Sequence, residues 1–372
     1  MILLSLTLLP LSKAVVSPYS VTIERVDTTY YAYGRDASIL GESENLLELC
    51  NQQVNAISKG TFYFVGDTFF FDDEWVISKE INVAGEGETA TTLSFGQGGI
   101  VFRGISTCTI KDLTLKGLNG EHSCGLTLDS TGRMSVYNVH IINFGTGLKI
   151  NQGLFAAIYN IFIVENDVGV WIGSDYGTAR FFAGSIIFNR VGVEICGGNS
   201  DSTMNQFYGT EIECNTDCEV YFNGANGMVS GTIFQGAYFE RTDGTSPYFF
   251  KYYGEQAQIK CITWTGCKFA SQVESKLEVY GEGHIFDGNF FHGAPVNFIA
   301  SGAGHSIVNN KELTEELVPI TFTNNAERSV VSGNYFYDVE NNGVPLIVSV
   351  LFFLGLSGIG VGAIIKIRRF QK

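Results

Sequence analysis

The sequence predicts an all-β fold, a single-stranded parallel β-helix of about ten coils with an N-terminal cap, followed by one C-terminal transmembrane α-helix. Three observations predict it. A motif with Gly, Asn or Asp at its third position recurs ten times, about 25 residues apart. The composition is rich in Gly (44), Phe (29) and Tyr (17), but poor in Pro (6) and in charge (16%), as a long array of short strands and tight turns requires. Near the C-terminus, 22 residues from Val344 to Ile365 carry no charge.

Residues 1–14 read as a secretory signal peptide. The apolar run from Ile2 to Leu11 is too short to cross a bilayer. Ser12 and Ala14 supply the small residues of a cleavage site. Residues 15–56 are expected to form the cap, with Glu42 to Ile57 helical. Such a cap protects the open end of a strand stack from edge pairing. Residues 57–343 hold the coils.

The motif reads apolar, any residue, then Gly, Asn or Asp, then apolar residues at alternate positions. Clear copies are Val136-Tyr137-Asn138-Val139-His140-Ile141, Phe207-Tyr208-Gly209-Thr210-Glu211-Ile212 and Phe286-Asp287-Gly288-Asn289-Phe290-Phe291. The third positions are Asp112, Asn138, Asn160, Gly184, Gly209, Gly236, Gly266, Gly288, Asn310 and Gly333. All are residue types that tolerate a left-handed backbone, so each repeat is expected to bend there between two short strands. A second strand signal follows in each repeat, as in Gly147-Leu148-Lys149-Ile150, Gly169-Val170-Trp171-Ile172 and Gly192-Val193-Glu194-Ile195. Alternation there places Val170 and Ile172 inward and Trp171 outward. The absence of a helical period excludes a βαβ array, and the spacing is too short for a propeller blade. A stack of coils remains, with residues one repeat apart becoming neighbours about 4.8 Å from each other.

Ahead of the repeat stand Gly60-Thr61-Phe62-Tyr63-Phe64, Trp75-Val76-Ile77, Ile81-Asn82-Val83 and Gly85-Glu86-Gly87, with Thr91 and Leu93. This segment resembles the opening of pectate-lyase-like right-handed parallel β-helices, phage tailspikes among them. Together with the coils the resemblance covers about residues 57–340. It implies a right-handed helix and, through the tailspikes, a homotrimer. It says little of function, because this fold hosts many chemistries.

At 1.5 Å per residue, the stretch from Val344 to Ile365 is long enough to cross a hydrocarbon core. Lys366, Arg368, Arg369 and Lys372 follow it and mark the cytoplasmic or virion-interior side. The N-terminal bulk is therefore expected outside, as a single-pass ectodomain on a cell-surface or viral-envelope membrane. With Lys13 and the four tail cations set aside, 18 of the 23 basic residues face 38 acidic ones, leaving a net charge near −20. Such a surface repels phosphate backbones and excludes nucleic acid as a partner. The eight cysteines are an even number, which permits disulfides in an exported chain. Cys214 with Cys218, and Cys261 with Cys267, lie closest in sequence. No Cys or His spacing suits zinc, and neither a metal nor another cofactor is expected.

Stacking puts Glu213 and Glu240 in adjacent coils and one column. Paired carboxylates raise one pKa, an arrangement that suits glycoside cleavage. Glu213, Glu240 and Asp217 are the candidate catalytic residues, and Glu211, Tyr238, Arg241 and Asp243 the candidate ligand-binding ones. Loops 196–206 and 240–258 make the longest repeats and would wall a groove. Asn215-Thr216-Asp217 resembles the first short motif of polygalacturonase-like hydrolases. Glu240-Arg241-Thr242-Asp243 and Gly283-His284-Ile285 depart from the rest of that pattern. The clusters Tyr30-Tyr31, Phe69-Phe70-Phe71, Tyr248-Phe249-Phe250 and Tyr252-Tyr253 hold more rings than alternating strands can hide. Exposed rings stack on sugars or mark protein contacts. Two functions fit these features. One is a membrane-anchored surface protein that binds a polysaccharide or surface glycan, as an adhesin, virion spike or envelope component. The other is a membrane-anchored polysaccharide lyase or glycoside hydrolase working in a carboxylate-lined groove.

Overall fold

A computed structural model describes residues 20–340, apart from 119, 121–122, 174–175, 198–201, 243, 313–319 and 335–337. The signal peptide, the transmembrane helix from Val344 to Ile365 and the basic tail all lie outside the described residues. Among those described, no helix is long and apolar enough to cross a membrane.

Alternating apolar residues build the walls of a parallel β-helix. Strands Val168–Ile172, Val191–Cys196 and Cys218–Asn223 stack in register, with Val170, Val193 and Val220 inward and Trp171, Glu194 and Tyr221 outward. Inside, rings repeat from coil to coil. Phe181 stacks on Phe207 at 4.5 Å, Phe207 on Phe234 at 4.8 Å and Phe234 on Trp264 at 6.1 Å. Identical apolar residues at the coil spacing bury apolar area and gain ring contacts together.

The cap departs from the coil pattern. Val21–Val26, Thr29–Tyr33 and Ile39–Ser43 pair antiparallel, and Val21–Val26 also pairs in parallel with Lys59–Phe64 of the first coil. The helix runs Leu46–Ala56, shorter than the span expected from the sequence. Strand Ile39–Ser43 claims its predicted first turn, and Asn45 caps it by accepting the Glu48 N–H at 2.9 Å. Leu46, Leu49 and Cys50 are the face it buries.

One corner of each coil bends at a left-handed residue. The ten are Asp112, Asn138, Asn160, Ala183, Gly209, Gly236, Gly266, Gly288, Asn309 and Gly333, with φ from 47° to 67°. Eight match the sequence reading. Gly184 is left-handed as expected, at φ 84°, and Ala183 before it turns as well, so that corner takes two residues. Asn309 alone stands in for its expected neighbour, Asn310, because the register Val308↔Ser332 shifts that corner by one residue.

Asn310 has a different task. After several left-handed corners the next residue points inward, and a side chain on the next coil accepts its backbone N–H. Asn289 N–H donates to Asn310 Oδ1 at 2.9 Å and Asn310 N–H to Asn334 Oδ1 at 3.0 Å. The side-chain amides repeat the link, Nδ2 to Oδ1, at 3.0 and 2.9 Å. A second ladder follows the corners Glu165, Phe188 and Cys214. There Asn166 and Asn189 donate N–H to Asn189 and Asn215 Oδ1 at 3.0 and 2.9 Å. In a third, His284 and His305 stack at 5.0 Å. Nδ1 of His284 accepts the Ile262 N–H at 3.0 Å, and its Nε2 donates to Tyr280 O at 2.9 Å. Those bonds require a neutral ring, and burial pushes His284 down to about 3.

The second ladder needs room, and glycine provides it. Gly147, Gly169 and Gly192 stand in one column beside it. A Cβ on Gly169 would lie 2.9 Å from Asn189 Nδ2, and one on Gly192 would lie 2.7 Å from Asn215 Nδ2. Those glycines begin the second strand signal for this reason.

The disulfides expected from the cysteine count are absent, and all eight cysteines are free. Cys218 packs in a small buried cluster with Val168 and Val191, whereas Cys214 is a half-exposed corner. Cys267 is buried with its Sγ 3.3 Å from Phe234 O, while Cys261 faces solvent. Each neighbouring pair is thus split between interior and surface.

Asn189→Ala removes the acceptor of a buried N–H and breaks the ladder on both sides. It is expected to cost on the order of 3 kcal/mol in urea denaturation. Asn160→Ala, at an exposed corner, is expected to cost no more than about 1 kcal/mol. Equal losses would show that the ladder contributes nothing special.

Candidate functional site

The coil register assembles the predicted carboxylate column. Ser185–Ile187, Glu211–Glu213, Tyr238–Arg241 and Lys268–Ser271 stack in parallel, with Glu211 beside Tyr238 and Glu213 beside Glu240. Ile212 and Phe239 between them are buried, so the carboxylates point out. Ser185 Oγ donates to Glu211 at 2.7 Å. Tyr238 OH and Gln272 Nε2 donate to the two oxygens of Glu240, each at 2.7 Å. Lys268 Nζ lies 5.1 Å from the centre of the Tyr238 ring. Burial, reinforced by the charges of Glu211 and Glu240, pushes Glu213 up to about 7. Burial and the bond to Glu240 also raise the Tyr238 hydroxyl. One carboxyl thus holds its proton near neutrality, beside another that is set up as an acceptor.

Arg241 does not belong to this surface. In Tyr238–Arg241 alternate residues turn inward, and Arg241 is fully buried. It pairs with buried Glu219 at 2.7 Å and donates to Asn215 O at 2.6 Å and Ser246 O at 2.8 Å. Glu219 follows Gly192 in the glycine column, and its carboxylate accepts the last amide of the asparagine ladder, from Asn215. Burial pushes the Glu219 carboxyl up, and Arg241 opposes that shift. The pair therefore closes the ladder and pins the turn that leads to Tyr248. Asp243 lies outside the described residues. Asn215, part of the segment that resembles a hydrolase motif, and His284, part of a segment that departs from that pattern, are both ladder residues.

Asp217 sits across the Asn215 turn from Glu213. It pairs with Arg190 at 3.3 Å and with Lys251. Arg190 also holds Asp167 with two bonds, at 2.6 and 3.2 Å. Arg190, Asp217 and Lys251 edge a groove of about 800 Å³ also lined by Glu194, Tyr221, Tyr248, Glu278 and Tyr280 among others. Glu194, Tyr221 and Lys251 form one outward column along Val191–Cys196, Cys218–Asn223 and Phe250–Tyr253. Burial, then the charge of Glu194, raises the Tyr221 hydroxyl. Lys251 and Lys276 lie 5.3 and 5.5 Å from the centre of the Tyr248 ring.

The sequence reading missed Glu194, Tyr221 and Glu278 as a set, although the alternation that sent Trp171 outward applies to all three. Of the two long loops, 240–258 contributes to this groove, and the described residues of 196–206 do not line it. The ring clusters divide as alternation dictates. Phe69, Phe71, Phe249 and Phe250 are buried, whereas Phe70 and Tyr253 are 43% and 59% exposed. A further outward stack runs through Tyr137, Tyr159, Phe182 and Tyr208, with centroids 4.8, 4.8 and 5.3 Å apart.

No family model matches this sequence, and no curated protein matches it either. Solved structures do share its fold. The Dettilon tailspike protein aligns over 80% of this chain and 64% of its own length, at 13% identity and a TM-score of 0.61. The Agl-KA catalytic domain aligns over 80% of this chain and 66% of its own, at 16% identity and 0.52. PfbA, a surface adhesin of Streptococcus pneumoniae, aligns over 82% and 89%, at 10% identity and 0.50. The chain spans just under two thirds of the first two. At these identities the likeness establishes the fold, a right-handed parallel β-helix.

Arg241→Met would leave the Glu219 carboxylate buried without its counter-ion. A loss of about 3–5 kcal/mol is expected in chemical denaturation, whereas a surface ligand-binding arginine would leave stability nearly unchanged. Glu213 gives a pH signature. Its folded pKa lies above the ordinary 4.5, so the stability it contributes is complete below about pH 4.5 and is lost as pH rises through about 7. Glu213→Gln is expected to flatten that part of the stability profile, and parallel profiles for the two proteins would refute the shift.

Proposed function

We propose that this chain is a surface-displayed β-helix that binds a polysaccharide or surface glycan lengthwise in the groove of Glu194, Tyr221, Tyr248 and Glu278. One observation carries the reading: tyrosine rings and carboxylates together line an open groove whose walls advance by one strand spacing per coil. Sugar rings pack their C–H faces on aromatic rings, and their hydroxyls donate to carboxylates. Proteins that share this fold include a tailspike and a surface adhesin. The reading includes a membrane tether from Val344 to Ile365, supported by the sequence, and a trimer, supported by the tailspike likeness.

A second reading places glycan cleavage at Glu213 and Glu240, favoured by the proton that Glu213 retains near neutrality. Glu213 would protonate the departing glycosidic oxygen, as general acids with raised pKa do.

Binding of the full chain, held in detergent, to a panel of polysaccharides tests the first reading. Tyr221→Ala and Tyr248→Ala are each expected to weaken binding about tenfold, and unchanged binding in both would remove the groove from the account. New reducing or unsaturated ends, abolished by Glu213→Gln, would establish the second reading. Turnover that persists in that variant would exclude Glu213 from it.

A further inference from the structure

The charge pattern of the groove narrows the class of glycan, an inference that rests on the groove being the binding site. Its cations are already engaged. Arg190 is held by Asp167 and Asp217, and Lys251 by Asp217, while Lys276, outside the lining, pairs with Glu278 at 3.4 Å. Glu194 differs. Its carboxylate accepts from Asn223 Nδ2 at 3.0 Å, and Cys196 Sγ lies 3.5 Å away. Among the described residues no Lys, Arg or His stands within salt-bridge distance of it. Among the residues that line the groove, three carboxylates, those of Asp217, Glu194 and Glu278, thus stand against two cations, Arg190 and Lys251. The chain around them has a net charge of −15. A glycan carboxylate or sulfate would find, among the described residues lining the groove, no cation without a carboxylate partner, and would meet Glu194 at close range. A protonated amine would find in Glu194 an uncompensated acceptor and in Tyr221, next along the same column, an aromatic face. Both attract a cation.

We propose that the groove selects glycans carrying free amines, with Glu194 as the ammonium acceptor, and rejects polyuronates and sulfated chains. The selectivity is electrostatic, so it weakens as salt rises.

The test compares three oligosaccharides of matched length on the full chain by calorimetry: glucosamine oligomers, their N-acetylated counterparts and galacturonate oligomers. It is run where the amine is protonated. The glucosamine oligomer is expected to bind about tenfold tighter than the acetylated one, with the galacturonate oligomer weakest. Glu194→Gln is expected to bring the first two affinities together, as is raising the salt. Equal affinities in the unaltered protein, a preference that survives Glu194→Gln, or tighter binding of galacturonate would each overturn the selectivity. Failure of all three sugars to bind, alongside any other polysaccharide, would instead overturn the glycan-binding reading beneath it.

Discussion

A backbone N–H just past a left-handed corner is the constraint on which the molecule depends. A parallel coil must turn sharply several times, and many of its corners cut one amide off from the wall on either side. Buried and unpaired, such an amide costs as much as a lost hydrogen bond. The protein satisfies these amides with side chains that stack at the coil spacing. Asparagine serves well because its Oδ1 accepts the N–H while its Nδ2 donates onward, so one residue type repeats without a break. The two histidines achieve the same with one ring nitrogen facing each way.

The candidate site follows from how one ladder ends. Asn166, Asn189 and Asn215 run beside the glycine column until Glu219 takes the next glycine position. A carboxylate there can accept the last amide, but it carries a charge into the interior and requires Arg241. Arg241 in turn grips Ser246 O and fixes the turn before Tyr248. The groove and the carboxylate column therefore flank the place where the internal ladder closes. Glu213 lies on one side of the Asn215 turn and Asp217 on the other.

Much of this architecture could be read from the residues. The period of Gly, Asn and Asp gave the coil and, through it, the pairing of Glu213 with Glu240. One corner takes in Ala183 beside the expected Gly184, and another was off by one because Asn309 and Asn310 are adjacent and identical. Strand register, a long-range property, distinguishes them. Arg241 was misplaced for a related reason. A charged residue reads as surface, and only its partner Glu219, a coil away, makes an interior position tolerable. The free cysteines had the same origin, since an even count says nothing of which side of a wall each occupies. The groove was legible in part, because outward alternation could have nominated Glu194 and Tyr221, but its closure by Tyr248 depends on the Arg241 anchor.

Backbone hydrogen exchange tests the central claim most directly. If side-chain ladders hold the corners, the amides of Asn166, Asn189, Asn289 and Asn310 exchange as slowly as those in the middle of the wall strands, through global unfolding alone. Exchange at the rate of exposed turn amides would contradict the account, because the corners would then be held by something other than the ladders.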